Sequence, residues 1–300
     1  MEPDLRAHRD AVAAKKPPLK KRLAPYALIT PATLWLGIFF VIPLIAMVAL
    51  ATQTGSVDEG FKQTFNFGIF GDALNTYGKY FIRSLEYGAI ATLLDFVIAY
   101  PLAYWIAFYG GARKTTYLLL LLLPFFVSFV IRTLAWKFIL SDNGIVLGTL
   151  KAMHLVPENY KVLATSTAVV AGMAYNFLPF MALPLYVALE AIDRSVVAAA
   201  GDLYSNRRQT FTKVILPLSL PGVFAGVLLT FVPAVGDYVN ATILGGTGNT
   251  MIGNIIQLKY LTDFDYPMAS ALSTILMVGM VVGIFIYAKA LGTRSIEEYV

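Results

Sequence analysis

Six long apolar runs, bounded by short polar or Gly/Pro-rich stretches, dominate the chain: residues 26–51, 83–108, 116–138, 164–189, 214–237 and 268–290. Each is long enough to cross a hydrocarbon layer as a helix, which takes roughly 20 apolar residues. None alternates polar with apolar positions as a membrane β-strand does, and a helix satisfies its own backbone in lipid. The pattern therefore predicts an all-α, polytopic membrane protein with six transmembrane helices. The connections 52–82 and 139–163 carry Gly, Asn and aromatic residues that suit short surface helices, and both are too short for a core of their own. The organisation read from this is a basic tail over 1–25 and one transmembrane unit over 26–300, with a polar loop over 191–213.

Basic residues orient the runs. Arg6, Arg9, Lys15, Lys16, Lys20, Lys21 and Arg22 precede the first. Arg113 and Lys114 follow the second, Arg194, Arg207, Arg208 and Lys213 follow the fourth, and Lys289 and Arg294 come last. On the positive-inside rule both termini and the 191–213 loop are expected in the cytoplasm. The tail reads as this topology signal, with lipid as its neighbour and no nucleic-acid partner. The run after it is too long for a cleaved signal peptide and lacks a small-residue cleavage pattern.

At 58% hydrophobic, 14% charged and a mean hydropathy of +0.68, the composition is far more apolar than the roughly 45–50% of soluble domains. There is no Cys, and the two His residues are His8 and His154, so thiol redox chemistry, Cys-based zinc sites and paired-His metalloprotease motifs are excluded; no metal is expected. No Gly-x-x-x-x-Gly-Lys-Ser/Thr loop is present, so the chain does not bind ATP in the usual P-loop manner and no cofactor is expected in it; if it is powered, the motor is a separate subunit. No nucleophile or metal cluster marks a membrane-embedded enzyme.

The loop is the polar passage best suited to a partner. Residues 195–203 are a run of helix formers behind two possible caps, Asp193 or Ser195, and 209–215 form a second short helix that ends where Pro217 opens the next run. A turn over 204–207 joins them and leaves an Ala-rich knob able to seat deeply in a groove.

The loop residues Ala198, Ala199, Ala200, Gly201, Asp202, Leu203 and Tyr204, followed by Ile215, Leu216 and Pro217, resemble the coupling loop of ABC importer permeases. That family's pattern is Glu-Ala-Ala, three residues, Gly, nine residues, then Ile-x-Leu-Pro. Here Ala198 stands in the Glu position and Tyr204 in the Gly position. The resemblance implies that a carboxylate fixing the loop to its ATPase is missing, with Asp202 the nearest replacement. It also implies that the turn has a different shape, because the family residue takes positive φ. Other stretches are similar to the spermidine/putrescine-type branch: 123–129 running into Arg132-Thr133-Leu134-Ala135-Trp136, Leu178-Pro179-Phe180, Leu183-Pro184-Leu185-Tyr186, Ile192-Asp193, Gly236-Asp237-Tyr238, Leu244-Gly245-Gly246 and Met251-Ile252-Gly253-Asn254. The resemblance implies a type I ABC importer permease architecture in the inner membrane. It also implies an ATP-binding cassette ATPase dimer, a second permease subunit and an extracytoplasmic solute-binding protein as partners, working by alternating access.

Ionisable side chains inside a span are costly and by default functional. Asp95 lies mid-run, while Glu190 and Asp237 lie near run ends. With the aromatic faces of Tyr104, Trp105 and Tyr238, Asp95 and Asp237 form a candidate path for a cationic amine. Two roles stay open for Asp95, in the path or in a pair with Arg132 that ties two helices. Arg132 and Lys137 are expected to snorkel to the outer interface or to form a salt bridge. Prolines 217, 221 and 233 with glycines 222, 226 and 236 suit a kinked gate or close packing alike. Two alternatives remain beside a polyamine importer: import of another small solute such as an amino-acid derivative or opine, and ion-coupled secondary transport, which usually shows internal repeats of spans that are absent here.

Overall fold

The computed structural model describes residues 19–295, with side chains described over 28–290; the tail ahead of residue 19 and the topology signal read from it lie outside the described residues. The first apolar run is a single path built from α1 (Leu19–Leu36), a π-type turn (Gly37–Val41) and α2 (Ile42–Ala51). It is almost wholly exposed and leans through α2 on the last helix. Residues 52–67 then depart from the expected surface helices. They form a hairpin of β1 (Gln53–Ser56) and β2 (Gly60–Gln63), antiparallel with Gln53 opposite Gln63 and Ser56 opposite Gly60. Gly55, at φ +128°, is obligatory there: an added Cβ would lie 2.1 Å from the Gly60 carbonyl oxygen.

The second run belongs to a longer element than its hydropathy shows. α3 (Gly68–Tyr109) holds 42 residues, about 63 Å at 1.5 Å per residue, twice the roughly 30 Å hydrocarbon layer. The turns ahead of the apolar run pack on the last two helices: Ile69 clusters with Ala271, and Ala73 with Ile252, Ile255 and Leu272. The third run is not one straight span. α4 (Lys114–Leu122) passes through a 3-10 turn (Leu123–Phe126), the chain turns extended at Val127, and α5 (Phe129–Ile139) leaves at 89°. Pro124 supplies no N–H to the turn before it, and α5 is drawn aside by its packing on the helices at 166–190 and 239–244.

α6 (Ile145–Ala152) lies between α5 and α7 (Ser166–Glu190), which Thr165 caps by accepting from the Ala168 amide at 3.2 Å. The loop holds α8 (Arg194–Asp202) and α9 (Arg207–Thr210). A π-type turn (Phe211–Ile215) then runs straight into α10 (Leu216–Val235), so Pro217 sits inside a continuous helix rather than at a break. α11 (Val239–Leu244), α12 (Ile252–Leu261) and α13 (Tyr266–Ser295) complete the chain. By length and hydropathy five helical paths are able to span a membrane, six when the bent α4/α5 pair counts as one.

The core is the contact of α3, α7 and α10. Ala91, Asp95, Ala99, Ala103 and Ala107 recur every four residues and are all buried, so one face of α3 is smooth enough for close approach. Gly88 meets Val235 and the Tyr100 hydroxyl meets Ser219, which makes α3 and α10 antiparallel. Gly222 lies on Pro184, Leu185 and Ala188, and Gly226 on Met181. Glycines 222 and 226 of the fifth run serve this packing, Gly236 does not, and α10 passes Pro221 without a break.

Candidate functional site: the exposed loop and the buried polar seam

The loop helix α8 begins where Asp193, with φ −63° and ψ 125°, leaves helical geometry and its Oδ1 accepts from the Ser195 amide at 2.8 Å. The backbone and side-chain bonds from Ser195 hold the Asp193 carboxyl below the usual carboxylate range. α9 has a reciprocal cap: Asn206 Oδ1 accepts from the Gln209 amide at 2.9 Å while the Asn206 amide donates to Gln209 Oε1 at 3.0 Å. Between the caps, Ala198, Ala199, Gly201, Asp202, Leu203 and Tyr204 are exposed and Ala200 is half-buried. Of the trailing motif Ile215 is buried, Leu216 half-buried and Pro217 exposed. Ile215 packs in the same cluster as Leu189 and Ala107, so this end of the motif anchors the loop and the 198–204 end presents it.

Two attachments bind the loop to the bundle, and an ion pair ties the spans beside it. Arg194 Nη2 donates to the Ala107 carbonyl at 2.7 Å, one of the carbonyls that the last turn of α3 cannot use itself, and its guanidinium lies 3.8 Å over the Phe108 ring. Phe211 stands edge-on to Tyr100 and Tyr104, with ring centres 5.8 and 6.0 Å away. Lys114 holds both oxygens of Glu190 at 2.7 and 2.8 Å, joining the starts and ends of neighbouring spans. The Glu190 carboxylate belongs to this interface cluster. The loop is thus in direct contact with the ends of α3 and α7.

The turn after α8 contradicts the expected change of shape. The Ser205 amide donates to the Ala200 carbonyl at 3.1 Å and the Tyr204 amide to Gly201 at 3.0 Å, and Tyr204 has φ +58°. These are the two bonds of a Schellman motif, with tyrosine at the left-handed position that glycine normally fills. The turn keeps its form and the side chain bears the strain.

The path candidates do not converge. Asp95 is fully buried in the alanine face of α3, and neither of its oxygens has a partner among the described residues. Tyr104 stacks on Phe108 at the loop end, and Trp105 is half-exposed against Tyr117. Asp237 lies at the opposite end, where its carboxylate accepts from the amides of Val239 and Asn240 and from Asn240 Nδ2, capping α11. Tyr238 is partly exposed, and its carbonyl accepts from Asn254 Nδ2 at 2.9 Å.

Sequence reasoning passed over a polar seam at the Asp237 end. Asn240 Oδ1 accepts from Asn176 Nδ2 at 3.1 Å and from Thr133 Oγ1 at 3.3 Å, and Asn176 also donates to Thr133 at 3.1 Å. All three side chains are fully buried, tying α5, α7 and α11 into one unit that continues to Asp237. An amide in the middle of the fourth apolar run was the available signal. Arg132 neither snorkels nor pairs with Asp95: it is buried, with Nε and Nη1 unpartnered, and its guanidinium lies 5.4 and 5.8 Å from the Phe125 and Phe129 rings. A further set pins residues 248–252 onto α3. Arg83 donates to the Gly248 and Thr250 carbonyls at 2.8 and 3.1 Å, Tyr87 bonds Asn249, and the Ile252 amide donates to Ser84 Oγ. Among the described residues no three His, Asp or Glu side chains gather as a metal site would require.

A bundle of membrane-spanning helices that carries a capped, exposed loop helix bolted to its core defines a type I transport permease. The chain belongs to the family of binding-protein-dependent transport system inner membrane components, whose model matches residues 95–292. It is 36% identical over 268 residues to the spermidine/putrescine transport system permease protein PotB of Haemophilus influenzae, covering 88% of this chain and 93% of that protein. The PotB of Escherichia coli strain K12 is 32% identical over 257 residues, covering 85% of this chain and 94% of that protein. The fold is shared with a chain of a bacterial ABC transporter involved in the import of the acidic polysaccharide alginate, at a TM-score of 0.70, 18% identity and coverage of 92% of this chain and 98% of that one. The protein is thus a multi-pass inner membrane component of an ABC import system.

Proposed function

We propose that this chain is the permease subunit of an ATP-driven polyamine importer, with spermidine or putrescine as solute. The similarity to the PotB proteins supports the solute class. The observation that carries the machine is the loop: α8 is capped, exposed and tied by Arg194 to the end of α3. Both termini and this loop lie in the cytoplasm, where a dimer of ATP-binding cassette subunits holds ATP and Mg and grips residues 198–204. A second permease completes the channel, and an extracytoplasmic binding protein delivers the solute at the Asp237 end.

Closure of the motor dimer on ATP moves α8. Through Arg194 and Phe211 the movement reaches α3 and α10, whose small-residue faces slide with little obstruction. Asp95 becomes the path carboxylate when this seam opens: a sealed carboxylate without a partner is costly to retain, and a passing diamine supplies the missing donors. Because the solute moves the equilibrium only through its different affinities for the two states, selection falls mainly to the binding protein.

One observation favours a second solute class. Arg132 is a buried guanidinium with free donors beside two phenyl rings, which is carboxylate-recognising chemistry and suits an amino-acid derivative. Competition uptake in cells expressing the full system separates the two. Labelled spermidine import that excess putrescine suppresses and excess amino acids leave intact supports the polyamine reading; the reverse pattern assigns the path to the carboxylate-bearing class.

A further inference from the structure

We infer that Leu203 and Tyr204 form an apolar anchor that inserts into a pocket on the partner ATPase, with the Tyr204 ring as the main contact. The inference rests on the loop being the ATPase-docking element. It is carried by three features of the turn.

The first is strain. Tyr204 occupies the left-handed region at φ +58°, where a residue with a Cβ is held against its preference while glycine is not. The two Schellman bonds, Ser205 to Ala200 and Tyr204 to Gly201, fix that conformation rigidly. The second is exposure. Tyr204 is 97% and its neighbour Leu203 80% accessible, so the strain is not offset by packing within the chain. Backbone strain of this kind clusters at ligand clamps and switch regions. Tyrosine is also a residue type on which binding energy concentrates at protein interfaces.

The third feature is charge. Apart from Asp193, which caps α8, and Arg194, which is tied to α3, the loop carries one carboxylate, Asp202, against three basic side chains, Arg207, Arg208 and Lys213. Arg207 and Arg208 lie three and four residues beyond Tyr204 and are exposed. The matching surface is an apolar pocket with an acidic rim on a soluble cytoplasmic protein. A fluid lipid surface accepts a ring in any orientation and gives no reason to hold it in a strained, rigid turn. Since α8 is tied to α3 through Arg194, a pull on Tyr204 is delivered to the spans.

The test uses the assembled permease complex in nanodiscs and the ATPase that copurifies with it. Tyr204→Gly removes the ring and relieves the strain, so the turn survives, while Tyr204→Phe keeps the ring. The dissociation constant for the ATPase is expected to rise about 30-fold for Y204G, the factor of a hot-spot aromatic, and to change less than about threefold for Y204F. Equal binding by Y204G and the parent protein overturns the anchor while leaving the importer reading intact. Failure of the parent protein to bind any ATPase overturns both. A photo-crosslinking residue at position 204 should yield an ATPase adduct; adducts with lipid or with the second permease alone contradict the inference.

Discussion

Arg194 is the joint on which the account turns, and its replacement by alanine has a calculable effect. A charged donor to a carbonyl contributes about 1.5–3 kcal/mol, and the bond to Ala107 falls at or below the low end because the side chain is nearly half exposed. The contact over Phe108 adds about 0.5–1 kcal/mol at an exposed site. The Glu190 contact at 3.7 Å, one turn back, adds about 0.3 kcal/mol. Against these, a cation in the first turn of α8 opposes the helix dipole by about 0.3–1 kcal/mol. The net is roughly 1.5 kcal/mol, about a tenfold shift in the population of detached loop helix. Hydrogen exchange reads this directly: amides of α8 should exchange about tenfold faster in Arg194→Ala, with amides in the middle of α7 unchanged and Arg194→Lys in between. The reconstituted importer should then hydrolyse more ATP per solute moved. Unchanged α8 exchange in R194A would refute the reasoning.

Gly222→Ala places a Cβ 2.5 Å from the Ala188 Cβ and 2.7 Å from the Pro184 carbonyl, an overpacking of about 1–3 kcal/mol that should lower the melting temperature of the purified protein. Gly226→Ala should cost less, because part of what its Cβ meets is the flexible Met181 side chain; equal losses would contradict this packing order. Asn240→Leu strips Asp237 of a donor and Thr133 and Asn176 of an acceptor, and should destabilise by about 3 kcal/mol, more than Thr133→Val in the same thermal assay. Asp95→Asn, which removes a buried unpartnered carboxylate without changing its shape, should raise the melting temperature and reduce polyamine uptake; a stable variant with full uptake would take Asp95 out of the path. The lowered pKa of Asp193 stabilises α8 at neutral pH, and this contribution is lost as pH falls through that lowered value. Asp193→Asn should flatten the acid loss of α8 protection in exchange data corrected for intrinsic rates.

The membrane-spanning character was legible because lipid imposes length and apolarity on any span whatever it packs against, and this holds for 164–189 and 268–290 alike. The bend in the third run was not legible because Pro124 looks no different in sequence from Pro179, Pro184 or Pro221, which stay inside helices. What separates them is the neighbour: α5 is turned toward Asn176 and Asn240, residues far away along the chain. The hairpin at 53–63 was signalled by two glycines around a polar turn, a pattern easily lost between long apolar runs. At the loop, the cap of α8 was readable from Asp193, while the Asn206 cap of α9 was not. The left-handed Tyr204 was not, because propensity argues against it and only the bonds to Ala200 and Gly201 compel it. Asp237 was chosen as a path residue for its charge and its glycine neighbour, yet two backbone amides and Asn240 occupy its carboxylate. Asp95 was read only as a path residue or a partner of Arg132; the buried alanines four residues to either side of it, Ala91 and Ala99, were the unused signal that it lies in a packing face.

The most direct test of the central claim, that this chain couples a separate ATPase to polyamine import, is ATP-driven accumulation of labelled spermidine by proteoliposomes containing both permeases and the ATPase, with binding protein on the outside. The account predicts accumulation that requires ATP, binding protein and an intact 194–204 loop together. Spermidine entry that persists without ATP or without the ATPase, or a complex that assembles and hydrolyses ATP yet moves no polyamine, would contradict it.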